Sequence, residues 1–234
     1  MWSDWIYPET DICFACGDYV KGLGRAKFCA SCRSKLSPVG KICCRRCGKP
    51  IADGEYCEWC MKYSRGFSRA FAPYLYEGLA RELILRMKYE NHPEIARALA
   101  GEMALFFEER GEEKKIDVII PVPIHRKRYG KRGYNQASLM AQALGKRWKL
   151  PVVEDWLVRT EATQALKELT AAERKFSLRH AFRLDSKYEP VEKPNSILLI
   201  DDVLTTGATA ESCSLEFLKW KTKEIVVLTF ATRR

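Results

Sequence analysis

The sequence lacks the features that mark membrane-spanning, secreted and disulfide-linked proteins. No apolar run approaches the roughly 20 residues needed to cross a bilayer. The N-terminus, MWSDWIYPET, has neither the basic region nor the apolar region of a secretory signal. Beyond Cys60 the chain has a single cysteine, Cys213. We therefore expect a cytoplasmic protein without membrane insertion, whose paired cysteines bind metal and do not form disulfides.

Acidic residues are absent from the segment Val118 to Val153, which contains eight Lys and Arg residues. Something anionic is therefore expected to approach this segment. The formal net charge of +10 is weaker evidence for nucleic-acid binding, because it counts every cysteine as neutral. Two zinc centres with four thiolates each would bring the charge to about +6.

Nine of the ten cysteines lie between Cys13 and Cys60, and eight of them form four C-x-x-C pairs. Two intervening residues let a tight turn aim both sulfurs at one ion, and two pairs complete a tetrahedral Cys₄ site. We favour two structural zinc ions, one held by the first two pairs and one by the last two, although the spacing leaves an interleaved pairing open. Cys43 is left over as a possible substitute for Cys44. The proposed ligands are Cys13, Cys16, Cys29, Cys32, Cys44, Cys47, Cys57 and Cys60.

The first and third pairs read C-F-A-C-G and C-R-R-C-G, so a glycine follows the second cysteine in each. Glycine permits the positive-φ turn that lets backbone N–H groups point at the sulfurs. Closed Cys₄ sites favour a structural role over a catalytic one, and four pairs are more than a dithiol switch needs. We predict a zinc-binding module over residues 1–65, with docking on nucleic acid or protein as a hypothesis, and a second domain over residues 66–234.

Strands and helices are predicted to alternate after about Arg65, which implies an α/β fold with a mainly parallel sheet and helices on both faces. Segments with strand character are Phe71–Glu77, Asp117–Pro123, Val152–Val158, Ile197–Ile200 and Glu224–Ala231. Segments with helical spacing are Leu79–Tyr89, Pro93–Arg110, Tyr134–Trp148 and Ala208–Trp220. A basic loop is expected after Pro123, and a long polar segment, partly helical, over Arg159–His180.

The segment Ile197 to Ala210, ILLIDDVLTTGATA, carries the clearest functional pattern. A buried strand delivers two carboxylates to its C-terminal end, and a turn rich in threonine and glycine then begins a helix, whose free N–H groups and dipole suit a phosphate monoester. The alternative is an ordinary capped helix, but one threonine would suffice for that. The segment resembles the phosphoribosyl pyrophosphate (PRPP) motif of type I phosphoribosyltransferases. Its predicted ligand contacts are Asp201, Asp202, Val203, Leu204, Thr205, Thr206, Gly207, Ala208 and Thr209.

The whole chain resembles the ComF family, competence-associated proteins that join a cysteine-rich N-terminus to a phosphoribosyltransferase domain. Family-like features besides the PRPP motif are Lys88-Tyr89, Pro121-Val-Pro123, Arg132-Gly-Tyr-Asn-Gln136 and Arg159-Thr160, followed by Thr163, Gln164, Leu166, Arg174 and Ala181-Phe182. Two departures are Ser177 and His180 where the family often has Asn and Gly, and the missing glycine before the last strand. The resemblance implies a Rossmann-like type I phosphoribosyltransferase fold behind a double zinc ribbon.

The resemblance also implies roles for individual residues. Asp201 and Asp202 would orient the ribose as the catalytic pair, Lys88 would belong to the PRPP site, and Arg132 would face pyrophosphate from the loop Val122–Asn135. Magnesium would accompany PRPP, and the segment Arg159–Arg174 would close over the site as a hood. His125 is either a base or an ordinary loop residue.

The basic run that contains Arg126, Lys127, Arg128, Tyr129 and Lys131 suits either pyrophosphate or a single DNA strand. Three functions therefore stay open. The first is a phosphoribosyltransferase with an unidentified nitrogen acceptor. The second is a factor in DNA uptake or utilisation that works with a helicase-like partner and contacts single-stranded DNA. The third is a PRPP-sensing regulator whose zinc ribbon binds a partner.

Overall fold

The computed structural model describes residues 11–23, 27–160, 181–188 and 190–234. The strands in this part of the chain are β1 (Arg69–Phe71), β2 (Tyr74–Leu75), β3 (Val118–Pro121), β4 (Leu157–Arg159), β5 (Phe182–Leu184), β6 (Ser196–Leu204) and β7 (Glu224–Thr232). The α-helices are α1 (Ala30–Arg33), α2 (Glu58–Lys62), α3 (Gly78–Tyr89), α4 (Glu94–Glu108), α5 (Arg126–Arg132), α6 (Gln136–Trp148) and α7 (Ala208–Leu218). Short 3₁₀ turns cover Glu113–Lys115 and Ser186–Tyr188.

A parallel sheet with the order β1-β7-β6-β3 forms the centre of the molecule. Strand β7 pairs with β6 along most of its length and with both β1 and β2 on its other side. Strands β1 and β2 correspond to one strand in the sequence prediction, but Pro73, which has no backbone N–H, lies in the break between them. The predicted α/β class with a mainly parallel sheet is confirmed.

Two hydrophobic cores lie on opposite faces of this sheet. The first core contains the apolar faces of α3, α4 and α6 together with Leu198 and Ile200 of β6. The second contains Ile197 and Leu199 of the same strand, packed against Cys213 and other residues of α7. Successive side chains of a strand point to opposite faces, so β6 supplies alternate residues to each core. This alternation decides where the polar residues at the end of β6 lie.

Each cysteine cluster packs into one of the two cores. Cys13 and Cys32 belong to the first core, whereas Cys44, Cys47 and Cys60 belong to the second. Polar contacts reinforce the first junction, where Arg33 pairs with Glu102 of α4 and the Arg86 Nη1 donates to the carbonyl of Ala15 over 2.8 Å.

Gly48 lies at the second junction, between the second cysteine cluster and the sheet. The residue has φ +67°, and a Cβ there would lie 2.4 Å from the carbonyl oxygen of Ala70 in β1. The backbone of the second cluster therefore touches the sheet directly.

Three local predictions differ from the structure. The predicted basic loop contains the helix α5, and the predicted strand Val152–Val158 is reduced to an isolated bridge at Val152 followed by β4. Strand β4 pairs antiparallel with β5 in a separate two-stranded sheet, which the sequence prediction did not include. Strand β6 extends four residues beyond the predicted end at Ile200, because its pairing with β7 continues to Leu204 and Thr232.

Candidate functional site

The eight paired cysteines form two groups of four. The sulfur atoms of Cys13, Cys16, Cys29 and Cys32 lie within 4.8 Å of one another, and so do those of Cys44, Cys47, Cys57 and Cys60. This is the sequential arrangement that we favour above, and not the interleaved one that the spacing leaves open; Cys43 lies outside both groups. Four thiolates at this separation fit tetrahedral zinc, so both groups are suited to hold a structural ion.

Backbone N–H groups prepare the first cysteine of each group for metal binding. Burial alone would raise the pKa of Cys13, but N–H groups that include those of Cys16 and Cys29 lower it to about 6. The same balance lowers the pKa of Cys44 to about 7. Gly17 and Gly48, which follow the second cysteine of their motifs, adopt positive φ as expected. The thiolate form that zinc requires is thereby favoured at Cys13 and Cys44 before the metal binds, whereas burial raises the pKa of Cys32 and Cys47.

The two acidic residues of the predicted PRPP motif lie within strand β6 and face opposite sides of the sheet. Asp202 points toward α3 and α6, where its carboxylate pairs with the Lys88 ammonium and accepts a 3.3 Å hydrogen bond from the Gln136 amide. Asp201 lies on the side of α7 and interacts electrostatically with Cys213. The sequence prediction treated the two carboxylates as equivalent, whereas the pleat of the strand gives them different surroundings.

Lys88, Gln136 and Arg132 form one polar group around Asp202, which is buried. Burial disfavours the charged form of Lys88, yet the charge of Asp202 outweighs this and raises the pKa of Lys88 above its usual value. Arg132 donates to the carbonyl oxygen of Lys88 over 2.9 Å and to the side-chain oxygen of Gln136. Arg132 therefore positions the residues that hold Asp202, and the structure brings the predicted residues Lys88, Arg132 and Asp202 together.

Asp201 has a strongly perturbed carboxyl group. Burial, and next the charge of Asp202, raise its pKa to about 8. Its side chain accepts a hydrogen bond from the N–H of Asp202 over 2.9 Å. A carboxyl with this pKa is largely protonated at neutral pH, so Asp201 can donate a hydrogen bond while Asp202 is paired with a cation.

A tight turn follows β6 and begins helix α7. Gly207 is the N-cap residue with φ +80°, and the hydroxyl of Thr206 accepts a hydrogen bond from the N–H of Ala208 over 3.3 Å. The first N–H groups of an α-helix have no acceptor within the helix, so those of Thr209 and Ala210 are available to an external anion. Hydrogen bonds from the C-terminal end of β7 hold the start of this turn in place. The carbonyl oxygen of Leu204 accepts one from the hydroxyl of Thr232 and one from the N–H of Arg233.

Half of the predicted pyrophosphate loop Val122–Asn135 is helical, because it contains α5 (Arg126–Arg132). His125 caps α5, its Nδ1 accepting from the N–H of Lys127 over 3.1 Å, and Gly133 ends the helix at φ +81°. This contact gives His125 a structural role. The basic side chains of the first turn of α5 are exposed, as is Tyr129. The prediction of a loop was therefore wrong for Arg126–Arg132, although the charge of this segment lies on the surface as expected.

A cleft of about 590 Å³ lies beside α5, between the segment that contains His125 and the strands β4 and β5. Arg159 and Asp185 line it together with Arg126. Burial and the charge of Arg128 lower the pKa of Arg159, whereas the charge of Asp201 acts in the opposite direction. Most of the predicted hood, including Thr163, Gln164, Leu166, Arg174, Ser177 and His180, lies outside the described residues.

The sequence analysis assigned no function to two residues that contact this site, Gln136 and Arg65. Gln136 was noted as part of the family-like Arg132–Gln136 segment, and its contact with Asp202 gives it a function there. Arg65 donates a hydrogen bond to the carbonyl of Thr206 over 3.0 Å. No signal in the sequence connects Arg65 with a turn 141 residues away, because this contact depends on how the second cysteine cluster packs.

Comparisons with known proteins found matches to the cysteine-rich segment and to most of the chain. A family model described as a double zinc ribbon domain matches residues 2–61. The chain is 31% identical over 206 residues to competence protein F of Haemophilus influenzae, covering 86% of this chain and 88% of that protein. It is 31% identical to competence protein ComFC of Bacillus subtilis, covering 81% and 78%, and 30% identical to the DNA utilization protein YhgH of Escherichia coli K12, covering 80% and 82%.

Solved structures of adenine phosphoribosyltransferases align with 61% of this chain. One aligns at 16% identity with a TM-score of 0.38 over 72% of its own length, and the enzyme from Leishmania donovani aligns at 18% identity with a TM-score of 0.36 over 53%. Among the residues that the structure describes, no helix is long and apolar enough to cross a membrane.

Proposed function

Because the chain belongs to the ComF family, which includes competence protein F and ComFC, we propose that it binds PRPP at the carboxyl end of β6 and acts in DNA uptake or DNA utilisation. The proposal rests on the segment Ile197–Ala210, in which a buried strand with two acids is followed by a turn and the start of a helix. A strand buried on both faces carries Asp201 and Asp202 near its carboxyl end. The turn that follows leads into α7, whose N-cap Gly207 makes no side-chain capping bond and whose first N–H groups have no acceptor within the helix. Open α/β sheets bind their ligands at such ends.

Each part of PRPP has a proposed partner. The 5′-phosphate lies against the turn Thr205–Thr209, where N–H groups, hydroxyls and the helix dipole favour an anion. The ribose hydroxyls lie against Asp201 and Asp202, and magnesium binds mainly to oxygen atoms of PRPP. We assign pyrophosphate to the exposed basic face of α5, which begins three residues after Pro123. Zinc has a structural role, and a reducing compartment such as the cytoplasm would keep its thiolate ligands intact.

Calorimetry with PRPP and magnesium tests the central claim. Wild type should release heat on binding, and Asp201→Asn/Asp202→Asn should weaken the affinity by about 10-fold to 100-fold, because two hydrogen-bonding groups on the ribose are altered. Asp53→Asn, which changes a single exposed acid in the second cysteine cluster, is a control away from the site and should bind as wild type does. Wild type that gives no PRPP-dependent heat would remove the proposal.

Turnover is a separate question from binding. If Asp201 and Asp202 act in catalysis, PRPP should release pyrophosphate when a nitrogen acceptor is added, and the release should depend on that acceptor. A panel of nucleobases and amines, followed by a pyrophosphate assay, tests this. PRPP that is bound but never consumed would instead make it a ligand or signal, as in the regulatory alternative.

A second candidate function, direct binding of single-stranded DNA, is supported by the exposure of α5. Arg126, Lys127 and Arg128 are exposed together with Tyr129, and cations interleaved with aromatic rings suit a single strand. Replacing the three cations by alanine should weaken binding of an oligonucleotide and reduce its salt dependence.

The matched control removes three exposed lysines elsewhere, in Lys114→Ala/Lys187→Ala/Lys223→Ala. Both triple variants change the net charge equally, so fluorescence anisotropy at several salt concentrations separates a local site from overall charge. Equal weakening in the two variants would contradict the assignment to α5. No binding by wild type at any salt concentration would exclude direct contact with DNA.

A further inference from the structure

We infer that Arg65, at the junction between the second cysteine cluster and the sheet, is an additional phosphate-binding residue of the proposed PRPP site. The inference rests on the proposed function, since it concerns the 5′-phosphate of the same ligand. Neither the C-x-x-C motifs nor the PRPP motif contains this residue. Its role follows from packing alone.

The guanidinium of Arg65 lies directly on the turn that precedes α7. One Nη atom donates to the carbonyl of Thr206 over 3.0 Å. A Cβ built on Gly207 would lie 2.9 Å from the other Nη atom, so the guanidinium is in close contact with the backbone at the N-cap of the helix. A phosphate bound by the N–H groups of Thr209 and Ala210 would lie within the reach of this side chain.

Three contacts fix the position of Arg65. Its guanidinium stacks on the ring of Trp59, with 3.5 Å between Cζ and the ring centroid. The next residue, Gly66, donates its N–H to a carboxylate oxygen of Glu211 in the first turn of α7 over 3.0 Å. Phe67 is buried in the second core. The side chain is therefore pre-oriented, which reduces the entropy lost when it binds an anion.

The electrostatics of this arrangement favour a bound anion. The N-terminus of α7 carries partial positive charge, so a guanidinium at the same end is repelled by the helix dipole. An anion between the two would be attracted by both. Arg65 has five N–H donors in a planar fork that matches phosphate geometry, and only part of this fork is needed for the carbonyl of Thr206.

Arg65 also connects the proposed phosphate site to a zinc site. Trp59, on which the guanidinium stacks, immediately precedes Cys60 in α2. The Arg65 side chain thus contacts both the neighbour of a zinc ligand and the phosphate turn, and the second cluster contributes directly to the ligand site.

Titration of the full, zinc-loaded chain with ribose 5-phosphate tests the inference. Arg65→Gln keeps a donor for the carbonyl of Thr206 but removes the charge, and its affinity should fall by roughly 10-fold or more. Arg65→Lys should lose less, because the charge remains while the planar fork is lost. Lys62→Gln, which removes an exposed charge three residues away, is the control and should bind as wild type does.

Pyrophosphate affinity and melting temperature distinguish a phosphate-binding role of Arg65 from a purely structural one. The affinity for inorganic pyrophosphate should change by no more than about two-fold in Arg65→Gln, because we assign that part of the ligand to α5. A variant that melts earlier but binds ribose 5-phosphate as tightly as wild type would overturn the inference and leave the proposed function intact. Wild type that binds neither ribose 5-phosphate nor PRPP would remove both.

Discussion

Replacement of Lys88 by methionine tests how the end of β6 is held together. Methionine keeps most of the side-chain volume but leaves the carboxylate of Asp202, which is only 5% exposed, without its cation. Removing one partner of a fully buried ion pair costs about 3–5 kcal/mol. Lys88 retains 21% exposure and the Gln136 amide still contacts Asp202, so we expect a smaller cost, about 2–3 kcal/mol of unfolding free energy. Urea unfolding at neutral pH, followed by tryptophan fluorescence, measures it.

A double-mutant cycle shows whether the cost comes from this pair. Lys88→Met/Asp202→Asn should be more stable than the sum of the two single changes predicts, by about 1–3 kcal/mol, because the second change removes the unpaired charge. Lys187→Met alters an exposed lysine and should stay within about 0.5 kcal/mol of wild type. Strict additivity in the cycle, or a Lys88→Met variant as stable as wild type, would refute the structural reasoning.

Two further predictions concern Asp201 and Gly48. Because burial raises the pKa of Asp201 to about 8, the stability that its protonation contributes is lost as pH rises from about 4 to 8. The unfolding free energy of Asp201→Asn, measured by urea unfolding, should therefore rise by about 1–2 kcal/mol relative to that of wild type between pH 6 and pH 8. A difference between the two proteins that does not change with pH would contradict the raised pKa of Asp201. Gly48→Ala should lose about 2 kcal/mol or more in thermal unfolding, since its Cβ would meet the Ala70 carbonyl. Gly54→Ala, at similar φ but in open space, should lose distinctly less.

Much of the fold could be predicted because its signals are local. The apolar strand at Ile197 and the helical spacing of α4 depend on residues that are close in sequence, and so do the C-x-x-C pairs. The prediction ended β6 at Ile200 because two acids interrupt the apolar pattern. Pairing with β7 carries the strand through them, which only the tertiary structure reveals.

The parts that were missed depend on distant contacts or on competing local signals. Helix α5 has no buried residue, so it lacks the apolar spacing by which helices are recognised, and its cap at His125 resembles an ordinary loop residue. The pairing of β4 with β5 joins Leu157 to Leu184. The different environments of Asp201 and Asp202 follow from strand alternation, but the partners themselves come from α3, α6 and α7. Sequence spacing does not report such partners.

The division of β6 between two cores has a consequence for ligand-induced rigidity. Asp201 faces the layer that contains α7 and the second cysteine cluster, whereas Asp202 faces the layer that contains α3 and α6. A small molecule that contacts both carboxylates links these layers across the sheet. Amide hydrogen exchange should therefore slow in both layers when the ligand binds, including helices that never touch it, and one bound sugar phosphate would restrain the opening of most of the chain.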